Sequence, residues 1–339
     1  MKPDNAATEE EALPRAEPDW IPVILVFAVA LGAFALVGST STWVTLTVAG
    51  LAMGLLIFIM ASGLTLVFGL MDVMNFAHGL FIAIGAYVAA SVMKVFAASA
   101  ASASFVANLG ALIPAVVAAT VVAGVIGLLF ERIIIKPVYG QHLKQILITT
   151  GGMIVAEQLI HVVWGADLVA LPRPETLRGS FLFGDVIVEK FRLVAVLIGL
   201  VVFAAMMLVL NRTKIGLLIR AGVENKEMVE AMGYRIKRLF IAVFAAGSAL
   251  AGLGGALWGM YQENINVGIG AQMMVLIFIV IIIGGLGSVG GCFIGSLLVG
   301  LVANYVGYLS PKVALGSNIL LMMIVLFWRP QGLYPVNKT

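Results

Sequence analysis

Charge is scarce in this chain. Its 339 residues include 20 Lys and Arg and 17 Asp and Glu, 11% in all, where soluble domains carry about 25%. With 62% hydrophobic residues, an ordinary soluble domain is excluded. Cysteine is rarer still. Cys292 stands alone, so no disulfide framework forms within the chain. The three histidines, His78, His142 and His161, lie far apart in sequence and suggest no metal site. No G-x-x-x-x-G-K-[ST] loop, H-E-x-x-H pair or nucleophile elbow occurs, which removes P-loop ATP hydrolysis and the chemistries of the other two motifs. A membrane-embedded enzyme would need nucleophile, base or metal ligands clustered at one depth, and none is found. The basic stretches lack the aromatic interleaving and fold signature of a nucleic-acid binder.

What the chain has instead is apolar runs. Ten are read, at 21–38, 44–68, 78–97, 106–130, 146–164, 193–210, 239–260, 273–290, 293–309 and 315–328. A run of about 20 apolar residues crosses a bilayer as a helix. The fold class is therefore an all-α polytopic membrane protein of about ten transmembrane segments, the sixth, eighth and tenth short or Gly-interrupted. Residues 20–330 form one membrane domain. Residues 1–19 hold two basic and six acidic residues, read as a disordered tail without a secretory n-region; 331–339 form a second tail.

Basic residues orient the spans. Residues 131–144 carry Arg132, Lys136 and Lys144 against Glu131, and 211–238 carry seven bases against three acids, whereas 165–192 balance four against four. Placing the basic connections in the cytoplasm puts 165–192 outside and both termini inside. Five spans then precede residue 165 and five follow with inverted direction, the arithmetic of an inverted 5+5 repeat. The stretches MNFAHGLFIAIGAYVA and GSVGGCFIGSLLVGLV support it only through small residues and an apolar period. Gly247, Ala251, Gly255 and Gly259 recur every four residues, a stripe suited to helix packing.

The segment 211–238 concentrates ten charged residues. Asn225 is its expected N-cap, Glu227 lies in the first turn and Gly233 stops the helix. Met228, Val229 and Met232 fall on one face, with Glu224, Lys226, Glu227 and Glu230 as a charged rim. So short a helix needs external packing. It either docks in a partner's groove or packs on its own membrane domain. A second element is Met71–Gly79, in which Asp72, Asn75 and His78 are spaced i, i+3, i+6 and could share a helix face. They tie a turn to neighbouring helices, or face cargo or a gate. The third is Glu157 with Gln158 and His161. A carboxylate within an apolar run is costly, so it lines a pathway or is hydrogen-bonded internally, with His161 at i+4 as a candidate partner. Outside, Ser180–Val188 reads as a hairpin around Gly184-Asp185 that receives a binding protein or caps the opening.

Several of these stretches together resemble one family. Gly63-Leu-Thr-Leu-Val-Phe-Gly69, Met74-Asn-Phe-Ala-His-Gly79 and Ile84-Gly-Ala-Tyr87 are similar to the permease subunits of branched-chain amino acid ABC importers, the LivH type in particular. Glu131-Arg132 with Lys136-Pro137, Val169-Ala-Leu-Pro172, Ala231-Met-Gly233, Gly284-Gly-Leu-Gly-Ser288 and Arg329-Pro-Gln-Gly332 extend the likeness over about 46–334. The first span, 21–38, has no counterpart in shorter members. The resemblance implies a non-enzymatic permease in a bacterial inner membrane, partnered by a LivM-like second permease, two cytoplasmic ATPases that bind ATP-Mg, and a periplasmic solute-binding protein. It also implies that 224–233 docks on an ATPase and that 72–79 lies near the path or inner gate. Cargo would be branched-chain or hydrophobic amino acids or similar small solutes. The rival is an ion-coupled secondary transporter, which would show more ionisable groups at membrane depth.

Overall fold

A computed structural model of the chain describes residues 19–224 and 226–335. The helices are α1 (Ile21–Val37), α2 (Thr40–Met71), α3 (His78–Val95), the single turn α4 (Ala97–Ala100), α5 (Phe105–Phe130), α6 (His142–Trp164), α7 (Lys190–Arg212), α8 (Lys214–Glu224), α9 (Lys226–Ala231), α10 (Ile236–Gln262), α11 (Ile269–Gly284), α12 (Val289–Leu309) and α13 (Ala314–Trp328). Four short strands join them: β1 (Val169–Ala170), β2 (Ser180–Phe183), β3 (Val186–Glu189) and β4 (Asn264–Ile265). Each of the ten apolar runs falls mainly on a helix, although the eighth, 273–290, runs past the end of α11 through the 285–288 turn. Among the described residues, seven helices are long and apolar enough to cross a membrane, while the runs in α1, α11 and α13 are shorter. The chain is a multi-pass membrane protein. The expected N-terminal tail lies outside the described residues except for Asp19. Residues 333 and 334, expected in the other tail, fold back instead: the Leu333 and Tyr334 N–H groups donate to the Ile283 and Gly284 carbonyls at 2.8 and 3.0 Å. They satisfy two of the carbonyls that a helix end leaves open.

Local chemistry sets the helix ends. Ser39 caps α2 by accepting from the Thr42 N–H, and Ser288 caps α12 by accepting from Gly291, as hydroxyls do at helix starts. Between α11 and α12, Gly285 and Gly287 take φ of 97° and 78°, a region that only glycine enters freely. This explains the Gly-Gly-x-Gly-Ser pattern. Gly287 also lies against Gly69 of α2.

The core forms where small residues let backbones touch. α2 crosses α10 at Gly63 and Gly247, and Gly255 meets the backbone at Ile82 of α3. Ala251 is fully buried, and Gly259 abuts Leu171 and Ile265. The predicted stripe is therefore a packing seam. Close approach of this kind replaces the hydrophobic drive that helices lack in lipid.

An inverted repeat is visible, but it is narrower than five and five. α2 packs on α12 as α10 packs on α5, and α3 packs on α5 and α6 as α11 packs on α12 and α13. Four helices thus correspond to four. α1 and α7 both contact α2 and stand outside the correspondence. The counterpart of Asn75-Phe-Ala-His-Gly79 is Asn266-Val-Gly-Ile-Gly270, not the 287–302 stretch, which forms the α11–α12 turn and α12. In each, the asparagine carbonyl accepts from the residue three on: His78 at 3.4 Å and Ile269 at 3.1 Å. The two glycines meet, and a Cβ on Gly79 would lie 2.6 Å from the Gly270 carbonyl oxygen.

Two ends follow from this alternation. One carries 72–77, 131–141, 213–235 and 285–288, together with Asp19, whose carboxylate pairs with Arg329 at 2.5 Å. The other carries the 165–189 loop. There Arg173 donates to Glu189 at 2.9 Å and to the Met260 and Tyr261 carbonyls at 3.0 and 2.7 Å. β2 and β3 form the expected hairpin, Phe183 facing Val186 across Gly184-Asp185.

Candidate functional site

The segment between α2 and α3 is not helical from Asp72 to Asn75, so the expectation that Asp72, Asn75 and His78 share a helix face does not hold. Asp72 ends α2 in the left-handed region with φ 52°. From there the chain climbs α6. Asp72 pairs with His142 at 3.6 Å, the Met74 N–H donates to Gln145 Oε1 at 3.4 Å, and the Phe76 N–H donates to Thr149 Oγ1 at 3.1 Å. Gln145 and Thr149 are fully buried. They accept from backbone N–H groups that the irregular link leaves without helical partners, at positions closed to solvent. α3 therefore starts beside the interior of its neighbours, with His78 Nε2 2.9 Å from the Met60 carbonyl of α2.

The matching link, 263–268, enters from the opposite end. β4 pairs with β1, Val169 opposite Ile265, and the Leu171 N–H donates to the Glu263 carbonyl at 2.8 Å. It leads into α11, whose Gly270 meets Gly79. Two helix starts thus face each other deep in the bundle. Asn75 and His78 are each 1% exposed. Asn75 Oδ1 accepts the Ala77 N–H at 3.1 Å. Asn75 Nδ2, His78 Nδ1 and Asn266 Oδ1 have no partner among the described residues. Asn266 was missed in the sequence, although the shared Asn-x-small-x-Gly spacing marks it.

Below Asp72 opens a cavity of about 360 Å³, lined by Asp72, Tyr139, His142, Glu227, Lys237 and Phe240 among others. α9 forms part of its wall. Asn225 lies outside the described residues, as do the side chains of Glu224 and Lys226. The helix stops as expected at Gly233, φ 86°, whose N–H donates to the Glu230 carbonyl at 2.9 Å. Its apolar residues do not form one face: Val229 is 4% exposed, while Met228 and Met232 are 62% and 65% exposed. Val229 anchors the helix, and two methionines point outward. α8 was not read as a separate helix; its Gly222 sits within van der Waals reach of Leu70 and Ile236.

Tyr139 and Glu131 join this wall to α5. Glu131 is 1% exposed and accepts a hydrogen bond from the Tyr139 hydroxyl. Burial, then the bond to Glu131 and its charge, push the Tyr139 phenol well above its usual range. The phenol stays protonated and donates. Tyr139→Phe strands a buried carboxylate, which costs about 1–3 kcal/mol; the expected result is a lower apparent melting temperature in detergent, and an unchanged one would mean that Glu131 has another partner.

Glu157 and His161 are half-buried on α6. No hydrogen bond or ion pair joins their side chains to each other or to other described residues, so internal side-chain hydrogen bonding does not account for Glu157. Asp72 meets His142, whereas Asn75 bonds its own turn at Ala77 and His78 reaches Met60 of α2; the Glu157 and His161 side chains bond to none of them.

The family model for the branched-chain amino acid transport system permease component matches residues 46–328. The chain belongs to this family. A Pseudomonas aeruginosa protein named as a high-affinity branched-chain amino acid transport system permease, BraD, is 29% identical over 84% of this chain and 93% of its own. An Escherichia coli permease of that description, LivH, is 29% identical over 84% and 92%. A Methanocaldococcus jannaschii protein, named as a probable branched-chain amino acid transport permease, LivM, is 24% identical over 83% and 90%. No solved structure matches this chain. The family match begins inside α2, so α1 lies outside it. This permease component has no catalytic role of its own, and it works with other components of a transport system.

Proposed function

We propose that this permease is the membrane-spanning subunit of an ATP-driven importer of branched-chain or similar hydrophobic amino acids. Its partners are a second, LivM-like permease, two ATPase subunits that bind ATP-Mg, and a periplasmic binding protein that supplies most of the selectivity. It sits in a bacterial inner membrane with Asp19 and Arg329 on the cytoplasmic side. The observation that carries this reading is α9: a short helix at the basic end, held by Val229 and presenting Met228 and Met232 outward, over a cavity that reaches Asp72. A partner that moves α9 pushes on the Asp72–His142 contact and so on the link that rises to Gly79. Asp72, Asn75 and His78 would then lie along the route or its inner gate. Alternating access follows when nucleotide shifts the population between two arrangements of this link.

The test is transport by the assembled complex in proteoliposomes. ATP inside, with a loaded binding protein added outside, is expected to drive leucine uptake at least tenfold above background. Uptake by the permease alone under a proton or sodium gradient would overturn the reading.

A further inference from the structure

α6 carries a stripe that lipid does not suit. Thr150, Gly151, Ile154, Glu157, Gln158 and His161 lie along one side of the helix, neighbouring one another at i, i+3 and i+4 spacing. All are exposed or half-buried. Glu157 is the one Asp, Glu, Lys or Arg in the interior of a spanning-length apolar helix; elsewhere such residues sit at helix ends. The contrast with α7 is informative. α7 is equally outward-facing, but its exposed interior is Leu197, Leu200, Val201 and Leu208, a surface that acyl chains cover without cost. A carboxylate, a carboxamide and an imidazole at that depth need polar partners, and this chain supplies none among the described residues. Gly151 meets nothing within 4 Å, so it leaves room for a close helix approach on the same side.

Resting on the importer reading above, we infer that this stripe of α6 is where the second permease subunit packs. The partner presents donors, from basic, hydroxyl or amide side chains, opposite Glu157. A second copy of this chain is disfavoured by charge: a two-fold axis along the membrane normal would set two Glu157 carboxylates at one depth, where like charges repel strongly.

Photocrosslinking in the assembled transporter tests this. p-Benzoylphenylalanine replaces Gln158, or Ile154 on the same stripe, with Leu197 on α7 as the comparison; after irradiation in the native membrane, adducts are identified by mass. Positions 158 and 154 are expected to capture a different permease chain, at least tenfold more than position 197 does. Adducts between two copies of this chain would overturn the choice of partner. A complex that retains both permeases yet captures the second permease only from position 197, or from no position, would overturn the interface alone. Absence of any second permease from the purified complex would overturn the importer assembly and the interface with it.

Discussion

A Gly270→Ala permease is expected to lose transport almost entirely. The reason is local. The added methyl group would meet the Gly79 carbonyl, its oxygen nearest and its carbon at 2.7 Å; the Met153 methyl at 3.0 Å could swing away, but the backbone of Gly79 could not. Relief requires α3 and α11 to separate where each begins. The Asn75 and Asn266 turns, the Gln145 and Thr149 supports and the β1–β4 pairing all fix those starts. Overpacking of a well-ordered core costs about 1–3 kcal/mol, and more where the backbone itself must shift. Gly110→Ala is the control, since a methyl group there meets nothing within 4 Å. We expect uptake by the Gly270→Ala complex to fall more than tenfold with a matching loss of thermal stability, and the Gly110→Ala complex to match the parent. Equal uptake by both variants would mean that the two helix starts are already apart in the working states.

Why this contact was not legible in the sequence is instructive. Hydropathy located all ten apolar helices, because a helix in lipid must hide its backbone and its apolar run records that. Turn chemistry located the end of α9 at Gly233 and the hairpin at Gly184-Asp185. The link from Asp72 to Asn75 was legible as a break tied to neighbouring helices, but the helical spacing of Asp72, Asn75 and His78 also suggested a shared face that the structure does not give them. What makes the link extended is Gln145 and Thr149, more than 65 residues away. A supporting side chain on another helix leaves no mark in the local pattern. The repeat was searched for in the wrong pair of segments for a similar reason. Small residues are everywhere in a chain with 38 glycines, so they match anything; the discriminating residues were two asparagines. Met228, Val229 and Met232 were grouped by period alone, which cannot tell the side that anchors a two-turn helix from the side that faces away. The spacing of Glu157 and His161 was compatible with a pair, and only the fold shows that neither side chain has a partner among the described residues.

Met232→Asp is expected to uncouple the transporter while leaving the permease folded. Met232 is 65% exposed and Val229 is 4% exposed, so the substitution leaves the anchor of α9 untouched and alters only the outward side. Surface changes away from packed or paired groups usually shift stability by no more than about 0.5 kcal/mol. A methionine at a contact behaves differently. It is an adaptable apolar knob, and putting a carboxylate in its place within a groove removes the burial and adds a desolvation cost. A loss of about 3 kcal/mol is reasonable for such a buried charge, which is more than a hundredfold in a docking equilibrium. We therefore expect normal membrane insertion and an unchanged melting temperature, with leucine uptake reduced at least tenfold and ATPase subunits lost on purification or hydrolysing without transport. Glu227→Lys, on the cavity wall beside Asp72 and His142, should give a milder form of the same uncoupling, because an exposed charge pair contributes about 1 kcal/mol or less. The two variants separate docking from structure. If both transport normally with ATPase bound, α9 is not where the motor holds the permease, and the cavity at Asp72 would have to be moved from elsewhere on the basic end.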